Sequence, residues 1–184
     1  TMMVAQQLYE GVAVGKEGSV GLITYMRTDS VRIADVAADD IRSYIESEFG
    51  KEFRPSHANS YSSKKNAQDA HEAIRPTSVH RTPLEMAKHL NKDQLKLYSL
   101  IWNRAVASQM ASAVFDVTTL LIGAGDYQLR ATGSVLKFEG FLKLSDEKDL
   151  LEDKDKTVPY LEAKTPGELY KLLPAEQHFT EPPA

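Results

Sequence analysis

The sequence predicts an α+β chain, mainly helical to residue 111 and antiparallel β-rich over residues 112–184, on three observations. Apolar residues recur at helical spacing within residues 2–13, 34–49 and 97–110. From about Ala113 the pattern turns to period two and β-branched, as in Val114-Phe115-Asp116-Val117-Thr118-Thr119-Leu120-Leu121-Ile122. A hydrophobic content of 42% over 184 residues suffices for an ordinary packed core.

The elements follow in chain order. Met3, Val4, Leu8, Tyr9 and Val12 describe one face of a helix over residues 2–13, which Gly15 and Gly18 end. Gly21-Leu22-Ile23-Thr24-Tyr25 is short, β-branched and aromatic, and predicts a strand. Thr28, Asp29 and Ser30 are candidate N-caps for a helix carrying Ala34, Ala38, Ile41, Tyr44, Ile45 and Phe49 up to Gly50, so Tyr25 falls at a strand-to-helix junction. Residues 51–81 read mostly as loop, with a short helix over Asn66 to Ile74 closed by Arg75-Pro76. Thr82-Pro83-Leu84-Glu85 has capping-box spacing with proline at the first helical position, and Asn91 to Gln94 repeats the spacing before a longer helix. The apolar face of that helix (Leu97, Tyr98, Ile101, Trp102, Ala105, Val106, Met110) reads as core. Beyond a boundary at residues 111–113, Val114 to Ile122 predicts a strand and Gly123-Ala124-Gly125-Asp126 a hairpin turn. Tyr127 to Thr132, Val135 to Leu144 and Glu168 to Leu173 predict further strands, and Thr180 to Ala184 reads as a linker.

The chain has no cysteine, which excludes disulfides, thiolate metal sites and thiol nucleophiles. No stretch reaches the roughly 18 uninterrupted apolar residues of a membrane span, and no basic leader with an apolar run opens the sequence. The net charge of −4 argues against coating nucleic acid by bulk electrostatics. Its distribution is uneven. Between Arg54 and Arg81 five basic residues, Lys64 and Lys65 among them, stand against two acids, with three histidines added. Between Ser145 and Lys156 six acids face three lysines in what reads as a solvated loop. The first segment suits phosphate.

Two constellations carry chemistry. A phenol is a poor nucleophile at neutral pH because its ordinary pKa is about 10, so a reactive tyrosine needs a base or a cation beside it. On an extended strand Tyr25 and Arg27 share a face, where a guanidinium could grip the oxygens of a phosphodiester under in-line attack. Taken alone, a strand tyrosine more often packs its ring in the core, and Arg27 with Asp29 equally describes a surface ion pair. The second constellation is Gln68-Asp69-Ala70-His71-Glu72-Ala73-Ile74-Arg75-Pro76-Thr77. If helical, it sets His71 and Arg75 on one face, both able to bind phosphate, or it is a surface helix with a Glu72–Arg75 pair. No second histidine stands four residues after His71, so a zinc-protease helix is excluded, and no phosphate-binding Gly-rich loop for ATP occurs.

Gly21-Leu22-Ile23-Thr24-Tyr25-Met26-Arg27-Thr28-Asp29-Ser30 and Ala70-His71-Glu72-Ala73-Ile74-Arg75-Pro76-Thr77 resemble, in order and spacing, two signatures of the bacterial type IA DNA topoisomerases. Ala5 to Glu10, Leu97 to Trp102, Ala107 to Met110 and Gln177 to Ala184 extend the resemblance over essentially the whole chain. It implies that Tyr25 is the nucleophile, giving a 5′-phosphotyrosine on single-stranded DNA, and that Arg27 positions or stabilises the scissile phosphate. His71 and Arg75 would bind DNA nearby, with Thr28, Asp29 and Ser30 completing the DNA-facing motif. Residues 1–111 would form most of a helical catalytic domain with a winged-helix-like tyrosine region, and residues 112–184 part of a β-rich arch. The family's metal-binding TOPRIM domain would precede residue 1, so Mg2+ would be bound outside this chain and no metal within it. The implied activity is ATP-independent relaxation of negative supercoils in the bacterial cytoplasm, at the nucleoid. The full-length enzyme would be a monomer, and the fragment would be inactive alone and prone to self-association through exposed strand edges. The alternative is a noncatalytic DNA-binding module built on the basic 54–81 segment.

Overall fold

The structure, a computed structural model, describes residues 1–61 and 71–144. The predicted elements at 66–70 and 168–173, Lys64, Lys65 and the acidic stretch lie outside them. Helix α1 spans Met2–Glu10 and buries Ala5 and Leu8. It ends earlier than the apolar spacing suggested: Gly11 takes φ 131, and Val12, expected on the helix, pairs instead with Val20 in a small hairpin of β1 (Val12–Ala13) and β2 (Ser19–Val20). Positive φ is a conformation that glycine alone enters at little cost, so the helix stops there.

The chain then runs extended through Gly21 to Thr24, but the predicted strand is reduced to one antiparallel bridge, Ile23 to Pro76. Proline has no N–H to continue a ladder, which limits the pairing to the flanking bonds, Thr24 N–H to Arg75 O (2.9 Å) and Thr77 N–H to Leu22 O (3.0 Å). Burial supplies the rest, since Leu22 and Ile23 are 0% and 1% exposed. Gly21 is required by close approach: a Cβ there would lie 2.6 Å from the carbonyl oxygen of Tyr9.

Helix α2 spans Asp35–Phe49, and Ala38, Ile41, Tyr44 and Ile45 are buried as the spacing predicts. Its N-cap is Ala34 with no side-chain cap, so Thr28, Asp29 and Ser30 do not start it. A distant carboxylate does related work, because Glu72 accepts from the Ala34 N–H at 2.9 Å. Residues 71–75 are not helical, and the predicted one-face arrangement of His71 and Arg75 does not form. Backbone groups of this segment bond the 24–32 region instead, including Ala73 N–H to Arg32 O at 2.7 Å.

The short helix α3 (Pro83–Met86) and the long helix α4 (Lys92–Ser108) both open with complete capping boxes, Thr82 with Glu85 and Asn91 with Gln94. On α4, Tyr98, Trp102, Ala105 and Val106 are buried. Their polar ends are satisfied: Tyr98 donates to Arg81 O at 2.6 Å and Trp102 Nε1 donates to Val79 O at 2.9 Å. Leu8, Leu22, Ile23, Ile45, Val79, Tyr98, Trp102 and Val106 form one core.

Strands β3 (Val114–Ala124) and β4 (Tyr127–Phe138) pair antiparallel from Val114 with Phe138 to Ala124 with Tyr127. The sequence divided β4 into two strands, the second reaching Leu144. The ribbon is instead continuous to Phe138, and Gly140–Leu144 is a 3-10 turn. Gly140 takes φ 50, and a Cβ on it would lie 2.5 Å from Ala111 O. The base of the ribbon therefore docks on the end of α4, with Phe138 and Phe53 rings 4.8 Å apart.

Candidate active site

The two signature segments cross, and the crossing holds the candidate nucleophile. Thr24 is the pin: its Oγ1 donates to Ala73 O at 2.8 Å and accepts from the Arg75 N–H at 3.0 Å. Thr77 Oγ1 donates to Gly21 O at 2.8 Å. Arg75 does not reach toward solvent. Its Nε and Nη2 donate to both Glu72 oxygens at 2.8 and 3.0 Å, and its Nη1 donates to Pro76 O at 3.0 Å. This is the Glu72–Arg75 pair anticipated from spacing, made without a helix. Burial raises the Glu72 pKa, but the Arg75 hydrogen bond, the Ala34 N–H and the charges of Arg75 and Arg32 outweigh it and hold the carboxyl below its ordinary range.

Beyond the pin the chain turns outward. The Arg27 N–H donates to Tyr25 O at 3.0 Å, a tight bend that replaces the extended geometry expected between these residues. Tyr25 is 55% exposed, so it is not a core tyrosine. Its ring meets the Tyr9 ring of α1 edge-on, centroids 5.2 Å apart, which supports one side and leaves the phenol open to solvent.

Arg27, His71 and Asp29 converge beside it. Arg27 Nη1 lies 2.8 Å from His71 Nε2 and Arg27 Nε lies 3.6 Å from Asp29 Oδ1. A guanidinium can only donate, so Nε2 is the acceptor and the imidazole proton sits on Nδ1. Nδ1 stands 3.2 Å from Asp29 Oδ2 but is not aligned as a hydrogen bond. Thr28 is exposed, whereas Ser30 is 6% exposed and its hydroxyl accepts from the Arg32 N–H. The structure thus brings Arg27, Asp29 and His71 together, leaves Tyr25, two residues before Arg27, exposed against Tyr9, and uses Arg75 and Ser30 within the scaffold.

Sequence reasoning missed the residues that shape the surroundings. Asn59 and Gln109 hold each other, Asn59 N–H to Gln109 Oε1 at 3.2 Å and Gln109 Nε2 to Asn59 O at 3.0 Å. Tyr61 donates to Ser108 O at 2.8 Å. A glutamine ending an apolar helix face and a tyrosine in a polar stretch were the available signals.

A helical body with an exposed tyrosine, an arginine–histidine–aspartate cluster and a β ribbon makes this an α+β protein. The family model described as DNA topoisomerase matches residues 1–184, and the chain belongs to that family, among its bacterial type IA members. The structure of full-length topoisomerase I from Thermotoga maritima is similar, with 38% identity over 91% of this chain and a TM-score of 0.64. The chain spans 25% of the length of that protein.

Proposed function

We propose that this chain carries the strand-breaking tyrosine of a type IA DNA topoisomerase, and that Tyr25 is the nucleophile. The observation that supports it best is the exposure of Tyr25 next to Thr24, whose hydroxyl pins the buried Leu22–Ile23 segment to residues 73–75. Attack by the phenol oxygen on a phosphorus atom of single-stranded DNA forms the Tyr–O–P bond and breaks the P–O bond to the 3′ oxygen. The phenol proton leaves to a base, and the 3′ oxygen gains a proton. The 5′-phosphotyrosine keeps the bond energy, so the freed hydroxyl can attack it after strand passage and reseal the DNA without ATP.

Arg27 supplies charge to the nonbridging oxygens as they gain charge, and His71 and Asp29 hold its guanidinium oriented. Thr28 and His71 face the DNA backbone. Arg75 and Ser30 act on DNA through the scaffold they brace. Residues 1–111 are most of the catalytic domain with its winged-helix-like tyrosine region, and residues 112–184 part of the arch. A magnesium ion, when bound, would screen phosphate charge. The reading assigns that ion to the TOPRIM domain expected of the parent enzyme. No described helix is long and apolar enough to cross a membrane. The reading places the full-length enzyme in the bacterial cytoplasm, at the nucleoid, as a monomer.

The test is covalent trapping by the full-length enzyme on a labelled single-stranded oligonucleotide, quenched with denaturant. Tyr25→Phe is expected to abolish the covalent product while retaining binding, and undiminished product would refute the assignment. Arg27→Ala is expected to slow cleavage on the order of 100-fold with most binding kept, because its contact strengthens in the transition state. An unchanged rate would remove Arg27 from the chemistry. The 184-residue chain alone is expected not to relax supercoiled plasmid with magnesium, as judged on agarose gels.

A further inference from the structure

Beside the Arg27 cluster lies an open groove of about 640 Å³, between the 27–33 loop and the C-terminal half of α4. Its described lining of sixteen residues holds two arginines, Arg27 and Arg104, and no aspartate or glutamate. That is unusual in a chain with 26 acidic and 22 basic residues. The other sizeable cleft, near Lys16 and His89, is lined by Glu17 and Glu85 as well as by its bases. The first groove therefore offers cationic groups with no carboxylate in its described lining, whereas the second mixes both signs.

The two arginines differ. Arg27 is engaged by His71 and Asp29, whereas Arg104 is exposed and makes no hydrogen bond or ion pair among the described residues. The lining also includes the apolar Ile33, Ile74, Met110 and Phe141. Tyr61 lines it too, 45% exposed and with its hydroxyl bonded to Ser108 O. Clefts of about 300–1,000 Å³ accept ligands of nucleotide size. An aromatic ring, an apolar lining and an unshared guanidinium are what an unstacked nucleotide needs: a surface for its base and a cation for its phosphate.

Building on the assignment of Tyr25, we propose that this groove is a nucleotide subsite for the single strand presented to it. The base stacks on Tyr61 and the phosphate is held by Arg104. A duplex is a poor occupant, because its bases are already stacked and cannot reach the ring.

The experiment uses the 184-residue chain and a fluorescein-labelled twelve-residue oligothymidylate, followed by anisotropy at about 20 to 200 mM salt, a range over which phosphate contacts dominate the salt dependence. The wild-type chain is expected to bind and to prefer the single strand over a duplex of equal length. Arg104→Gln is expected to weaken binding about 5-fold at low salt and to lower the salt slope by about 0.7, the value of one single-strand phosphate contact. Tyr61→Leu is expected to weaken binding about 5-fold or more, and Tyr61→Phe to restore most of it, since the ring and not the hydroxyl stacks. A purely structural role for Tyr61 would make Phe, which also loses the Ser108 bond, as damaging as Leu. Arg104 is exposed, so its arm stands even if Tyr61→Leu disturbs folding. The proposal is overturned if the wild-type chain does not bind, or if Arg104→Gln leaves affinity and slope unchanged, results that would leave the groove to pack against protein. Trapping by the full-length enzyme tests Tyr25 and anisotropy of the Arg104 variant tests the groove, so failure of one reading is separate from failure of the other.

Discussion

The crossing of residues 21–34 with 71–77 and the β3–β4 ribbon are both held by antiparallel backbone pairing, yet they are stabilised in opposite ways. The ribbon has a long regular ladder with one irregularity near Val114, but Val117, Leu121, Tyr127, Leu129 and Val135 are 45–78% exposed. The crossing has a single bridge, and Leu22 and Ile23 at that bridge are almost completely buried. Side chains complete its bonding: Thr24, Thr77 and Glu72 each serve backbone groups of the opposite segment. Regular hydrogen bonding is thus a poor guide to burial here: the crossing combines buried residues with side-chain bonds, and the ribbon has the ladder.

Substitutions can break this contrast in order of size. Leu22→Ala should destabilise the chain most, by about 2–5 kcal/mol, because it opens a cavity beneath the crossing. Urea denaturation would measure it, and a loss under about 1 kcal/mol would mean that burial does not stabilise the crossing. Glu72→Gln should cost about 1–3 kcal/mol by weakening both the Arg75 fork and the Ala34 bond. Its pH dependence follows from the lowered pKa: the folded state holds Glu72 ionised more firmly than the unfolded state. That stability is complete above the ordinary value of 4.5 and is lost as pH falls through the lower folded value. Melts across that acid range should show a shallower loss for Glu72→Gln than for wild type. On the ribbon, Leu121→Thr should change stability by no more than about 0.5 kcal/mol, since the side chain is 57% exposed. A larger loss, concentration-dependent in sedimentation, would show that copies pair through this face.

The sequence made much of the fold legible where the information is local. The capping boxes at Thr82 and Asn91, the buried face of α4 and the hairpin after Ile122 all depend on residues within a few positions of each other. Failures fell where a distant segment decided the conformation. Residues 21–25 look like a strand but have Pro76 opposite, residues 28–30 look like caps but the helix waits for Ala34, and residues 71–75 look helical but give their hydrogen bonds to the Tyr25 loop. Tyr25 could be picked out only through the length of its motif, because a single tyrosine has no pattern of its own.

Alone, the sequence determined the α+β class, the switch to β near residue 112, and the two motifs by which family membership was anticipated, because spacing and residue type carry those. Tertiary structure decided which motif residues face outward. Arg27 and Arg75 are the same side chain on equally conspicuous motifs. One ends beside His71 at the surface, and the other is closed in a fork on Glu72. The Glu72–Arg75 fork was legible from a spacing of three, whereas the meeting of Arg27 with His71 was not, since it depends on how segments forty-four positions apart come together.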